Sequence, residues 1–154
     1  MSSEKKRIYS IILIIACILT VAFIWGNSLL DSSSSTKVSS GLLNRIKPFL
    51  KTLKLYAEDD LLLRKFAHFS EFGALGAELC LLFLLNTSFN FQTFVNCAFI
   101  ALLVGVTDET IQIFTGRHSA VPDVIIDFVG SVIGVSIVYL IVRAVIRHRE
   151  KKRT

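Results

Sequence analysis

Four long apolar stretches alternate with short polar ones along this chain. Ile8 to Trp25 carries no charged residue, and a helix of about 20 apolar residues crosses a bilayer. Phe66 to Leu85 is the second stretch, interrupted by His68, Ser70, Glu71 and Glu78. Phe91 to Val106 is the third, with helix expected to continue to about Phe114, and Val124 to Val142 is the fourth, carrying Asp127. The apolar residues come in blocks and not at the period of a surface helix, which points to lipid as the solvent. The pattern predicts an all-α integral membrane protein, a four-transmembrane-helix bundle. Its spans should lie near residues 8–26, 66–85, 91–110 and 123–142 of a single domain covering 1–154.

The connections refine this outline. Asp31 to Ser40 is serine-rich and reads as an exposed loop leaving the first span. Leu42, Leu43, Ile46, Phe49, Leu50, Leu53 and Leu55 then recur at near-helical spacing among Arg45, Lys47, Lys51 and Lys54, with Pro48 breaking the pattern. This is expected to be an interfacial amphipathic segment, with an extramembrane helix packed over the bundle as the alternative. Asn86 to Asn90 is short and uncharged, so the second and third spans should form an antiparallel hairpin. The next connection, Thr115 to Pro122, holds Gly116 as a breaker and places Pro122 in the first turn of the fourth helix. Gly130 and Gly134 form a small-x-x-x-small pair that permits close helix approach in lipid.

A hydrophobic content of 53% and a mean hydropathy of +0.62 agree with a membrane protein. The net charge of +5 is concentrated in a basic tail over 143–154, which points to anionic lipid and not to nucleic acid. Lys5, Lys6 and Arg7 flank the first span in the same way, and an even number of spans puts both ends on one side. A multi-pass protein of the cell membrane with both termini cytoplasmic follows. Lys37, Arg45, Lys47, Lys51 and Lys54 in the first external loop weigh against this orientation, but charges flanking the first span usually dominate. The first apolar run is long for a signal peptide and no small-x-small cleavage pattern follows Trp25, so an uncleaved anchor helix is expected. Cys17, Cys80 and Cys97 lie inside spans and read as small apolar packers, without metal-type spacing.

The chemistry lies in polar residues that a membrane span would not otherwise carry. Arg64, His68, Glu71, Leu75 and Glu78 are spaced so as to share one helix face, with Lys65 at its shoulder. Asp123 and Asp127 share a face with Gly130 and Gly134, and should point into the bundle. In the third span Asp108 and Gln112 align, with Glu109 alongside. Span parity places Arg64, Lys65, His68, Asp108, Glu109, Gln112, Arg117 and Asp123 near one interface, opposite the termini. Glu71 and Asp127 should lie roughly 6–10 Å deeper. These groups could simply pair as struts, with Arg64, Lys65 and Arg117 neutralising Asp108, Glu109 and Asp123. That is a costly way to stabilise a bundle, and it leaves Glu71 and Asp127 over. Glu78 reads as a lone protonated acid, His118 as a solvated loop residue, and Trp25 and Tyr139 as interfacial or packing groups.

Three blocks carry a family resemblance: Lys65-x-x-His68-Phe69-x-Glu71-Phe72-x-x-Leu75-Gly76, Thr107-Asp108-Glu109-x-x-Gln112-x-Phe114-x-Gly116-Arg117, and Asp123-Val124-x-x-Asp127-x-x-Gly130-x-x-x-Gly134. At these residues, and more loosely at Trp25-Gly26-Asn27-Ser28, the chain resembles the VanZ-like family of small bacterial membrane proteins over about Ile8 to Val142. It departs from the family pattern at Phe72, where Tyr is expected, and at Asp127, where Asn is frequent. The resemblance implies a cell-envelope role associated with resistance to teicoplanin-type glycopeptides; it does not supply a reaction.

Three functions compete. In the first, an outer-leaflet pocket recognises a lipid head group or lipid-linked cell-wall precursor. Arg64, Lys65 and Arg117 hold its phosphate, and Gln112 and Asp127 complete the binding set. In the second, an intramembrane enzyme modifies such a lipid, with His68 as acid or base oriented by Glu71. Alternatively Asp108, Glu109, Asp123 and Asp127 hold a divalent cation as cofactor, Mg²⁺ or Mn²⁺ before Zn²⁺. The third is a small transporter that relays protons through Glu78 and Glu71.

Overall fold

The computed structural model describes residues 2–29, 60–87, 90–116 and 120–152. The amphipathic pattern at 42–55 and residues Arg117 and His118 lie outside them. Helix α1 runs Ser3–Leu29, α2 Asp60–Asn86, α3 Phe91–Phe114 and α4 Val121–Lys151. All four are long and apolar enough to cross a membrane. Among the described residues there is no strand. The protein is a multi-pass membrane protein with four helices among the described residues.

Local sequence sets the helix ends. Asn90 caps α3 by accepting from the Thr93 amide at 2.9 Å. Gly116, at φ 68°, ends α3 in the left-handed turn that glycine adopts without strain. Pro122 sits in the first turn of α4. Helix α4 continues to Lys151, nine residues past the Val142 expected as the end of its span, and finishes with His148, Arg149 and Lys151 in its last turn. The charges of Arg149 and Lys151 suit the negative end of a helix dipole, so the polar tail stays helical beyond the apolar run.

Packing is tightest between α2 and α4. Gly73 and Gly76 face Gly130, Ser131 and Gly134 across the contact. A Cβ on Gly134 would overlap the Gly73 carbonyl oxygen, and one on Gly130 would come within 2.5 Å of the Phe69 carbonyl oxygen. The small residues therefore let the two backbones touch, as lipid-embedded helices require when there is no hydrophobic drive between them. Below this seam Ile24, Leu75, Leu79, Cys80, Cys97, Val104 and Val135 make an apolar core, with Cys80 and Cys97 as buried free thiols. Ile11, Ile15, Ile18, Leu19 and Phe23 of α1 are exposed, an apolar exterior that lipid tails would cover.

Antiparallel succession brings the α1 and α3 C-terminal ends and the α2 and α4 N-terminal ends together. The Thr115 hydroxyl donates to the Ser28 carbonyl at 3.1 Å at this end. Ser10 bonds Asn86 at the other, 3.1 Å apart. The polar residues collect at the first of these ends.

Candidate functional site

The site is built in two levels. At the outer level, Lys65 on α2 pairs with Asp123 on α4, Nζ to Oδ1 at 3.3 Å. Arg64 donates from Nη2 to Oε1 of Gln112. Gln112 is fully buried, and its amide donates to Asp108 Oδ2 at 2.8 Å and to Ser28 Oγ at 3.2 Å. Its amide and its oxygen, expected to meet a ligand, thus have partners within the protein. Glu109 accepts from the Ala120 amide at 3.1 Å and ties the end of α3 to the start of α4.

One turn deeper lie His68, Asp108 and Asp127. His68 Nδ1 is 3.4 Å from Asp127 Oδ1 and 3.8 Å from Asp108 Oδ2. Asp108 and Asp127 are 0% and 1% exposed. Asp108 Oδ1, both oxygens of Asp127 and His68 Nδ1 lack a hydrogen-bond partner there. The three residues each offer one metal-ligating atom within 4.8 Å of the others, and among the described residues they are the group that does so. Above them opens a small hollow lined by Arg64, Lys65, His68, Asp123 and Ile126.

Asp108 was expected near the interface and Asp127 deeper, yet they share one level. Helix α3 runs to Phe114 and α4 starts at Val121, so each aspartate sits six residues, about 9 Å, inside its helix end. Beneath them Gly105 of α3 faces the Phe72 ring and Asp127. A Cβ there would lie 3.5 Å from Phe72 Cε1 and 3.6 Å from Asp127 Oδ2. Phe72, fully buried, forms the floor.

Glu71 was expected to orient His68. Among the described residues the carboxylates within 4 Å of the imidazole are Asp108 and Asp127, and Glu71 Oε1 accepts from Asn27 Nδ2 at 3.3 Å. Of the carboxylates considered for a cation, Glu109 and Asp123 take other partners and His68 joins Asp108 and Asp127 in their place. Arg117 lies outside the described residues. Glu78, read as alone, accepts from the Thr20 hydroxyl at 3.0 Å.

Sequence reasoning passed over Asn27 and Ser28 as site residues. Ser28 is 1% exposed and bonded to Gln112. Their signal was present: both stand at the α1 exit, which parity puts at the polar end, within the looser Trp25-Gly26-Asn27-Ser28 match.

The sequence model of VanZ/LLP1 matches residues 8–143, nearly the whole chain. The chain belongs to the VanZ/LLP1 family. Comparison with curated proteins and with solved structures found no match. In VanZ/LLP1 terms, the three motif blocks become one object here. Lys65 and His68 come from the first block, Asp108 from the second, Asp123 and Asp127 from the third, and each of these touches one from another block, while Gln112 of the second reaches Arg64, just ahead of the first. Such an arrangement can do two things chemically. Its outer cations can attract an anion, and its inner imidazole and carboxylates can hold a proton or a cation beside that anion.

Proposed function

We propose that the polar end of the bundle is a head-group pocket. It binds an anionic lipid or lipid-linked cell-wall precursor at the outer face of the cell membrane, and through that ligand contributes to resistance against teicoplanin-type glycopeptides. The observation that carries this reading is the set of buried carboxylate oxygens without a partner among the described residues, beside a hollow of about 10 Å³ lined by Arg64, Lys65 and His68, which is room for a single phosphate oxygen and not for a whole head group. A bundle held by struts would spend these groups on one another, because an unsatisfied buried polar atom costs about 1–3 kcal/mol. An apolar groove among Cys17, Val21, Trp25, Leu75, Leu79 and Ile100 adds a place along the bundle for an acyl chain. The outward placement follows from the basic flanks of both termini, with the pocket at the opposite end.

A second reading, an enzyme acting on the same lipid, draws on His68 Nδ1 standing between Asp127 and Asp108 at 3.4 and 3.8 Å. Held there, the imidazole is in place for proton transfer. A transport role has less support, since Glu78 sits two helical turns, about 10 Å, from Glu71.

The test is thermal melting of the purified protein with added lipids. Phosphatidylglycerol or a polyprenyl phosphate should raise the melting temperature of the wild type but not of Lys65→Gln. Equal stabilisation by zwitterionic phosphatidylcholine would remove the head-group pocket. A change in the added lipid's mass that His68→Ala abolishes would select the enzyme. Orientation is checked by a cysteine at Ser119 in a background lacking the native thiols, which should react with an impermeant reagent on intact cells.

A further inference from the structure

Among the described residues, the inner level of the site sets two carboxylates against one imidazole. Asp108 and Asp127 are both buried. Lys65 is engaged by Asp123, and Arg64 reaches Gln112. Among the described residues the ion pairs of Asp108 and Asp127 are both with His68, whose single charge when protonated answers one carboxylate and not two, and an uncompensated charge in so dry a place is expensive. The geometry matches the charge. His68 Nδ1 lies 3.4 and 3.8 Å from the aspartate oxygens, too long for good hydrogen bonds. Ligand atoms sharing a cation at bond lengths of about 2.0–2.2 Å stand roughly 3–4 Å apart, so this spacing is that of neighbours on one coordination shell. Gln112 meanwhile donates to Asp108 Oδ2 from outside the cluster, as groups behind a metal ligand commonly do.

We propose that His68 Nδ1 and the carboxylates of Asp108 and Asp127 hold a divalent first-row cation of the manganese type, whose remaining coordination positions face the hollow between Arg64 and Lys65 and there accept a lipid phosphate oxygen. One imidazole with two carboxylates suits Mn²⁺ better than the all-oxygen shells of Mg²⁺ or the thiolate-rich sets of structural Zn²⁺. Three protein ligands leave room for water and ligand, as a working metal site needs and a purely structural one does not. The cation also answers a difficulty in the head-group reading, on which the phosphate half of the proposal rests. A phosphate entering the hollow approaches two aspartates, and a divalent cation between them turns repulsion into a bridge.

The experiment uses the purified full chain in detergent, free of affinity tag, with Mn²⁺ as the probe. Electron paramagnetic resonance should show a single saturable site with nitrogen coupling from the imidazole. His68→Ala and Asp108→Ala should lose it, and Glu78→Gln should keep it. Absence of saturable Mn²⁺ binding would overturn the proposal and leave a shared proton between the aspartates. Binding without nitrogen coupling, or binding undiminished in the two variants, would overturn it as well. The nitrogen signal of the wild type decides the matter even where a variant fails to fold. Phosphatidylglycerol vesicles and inorganic phosphate are then added with and without chelator. Chelator-sensitive binding of the vesicles but not of phosphate alone is the expected result. Vesicle binding indifferent to chelator overturns the bridge while the head-group pocket stands. Mn²⁺ binding without any lipid binding ends the head-group reading and leaves the cation site supported.

Discussion

Glu78 and Asp127 are carboxylates on the two most closely packed helices of one bundle, and the protein treats them differently. Glu78, in the apolar middle, meets a single Thr20 hydroxyl and has no cation pair among the described residues. Asp127, in the polar end, faces His68 and shares its level with Asp108 and a turn of charged groups above. Both leave oxygens unsatisfied, but only at the polar end do such oxygens from separate helices converge on one point. The difference is one of convergence: a lone intramembrane acid can be met by a single hydroxyl, whereas a converging set leaves more polar atoms than its neighbours among the described residues meet.

The sharpest way to break this comparison is to remove the inner level. His68→Ala and Asp108→Asn should each lower lipid binding or glycopeptide tolerance to the level of a deletion strain, with protein abundance and melting close to wild type. Parallel loss of folding and function across the two would reduce the polar end to a scaffold.

A large effect on stability is expected elsewhere, at the seam. Gly134→Val should push against the Gly73 carbonyl and cost about 1–3 kcal/mol, the range for overpacking a filled contact. A melting temperature unchanged by this substitution would mean that α2 and α4 are not the rigid pair described.

Smaller still is the outer ion pair. Lys65 is a third exposed on its side chain and Asp123 15%, so their pairing should contribute no more than about 1 kcal/mol to stability. The swap Lys65→Asp with Asp123→Lys should restore melting yet leave the protein inactive, because the proposed phosphate would need the cation on the α2 side of the hollow. Recovery of function by the swap would return Lys65 to a structural role. Least of all should come from Glu78→Gln, which keeps an acceptor for Thr20 and should leave melting and tolerance nearly unchanged. A full loss of function there would favour proton relay.

Much of this was legible in the sequence because the membrane leaves few choices. Uncharged runs of spanning length gave the helices, and Gly130 with Gly134 gave the closest contact. Counting helix crossings brings Lys65, His68, Asp108 and Asp123 to one end from the sequence alone. What spacing could not decide was partnership. Glu71 lies nearer to His68 in sequence than Asp127 does, but side chains on one helix face stand above one another, whereas Asp127 looks across a backbone contact. The role of Gln112 was hidden for the same reason, since Ser28, its buried partner, is 84 positions away.

The glycine seam has a further consequence for how the pocket can adapt. His68 and Asp127 stand on helices that meet backbone to backbone just below them, so their separation is close to fixed, like two teeth on one casting. Asp108 stands on α3, which meets Asp127 and Phe72 through the open flank of Gly105 and has no such interlock. On the proposed reading, adjustment to head groups of different size would therefore fall to α3. Relatives that handle different lipids should differ most along the inward face of that helix, and least in the paired glycines.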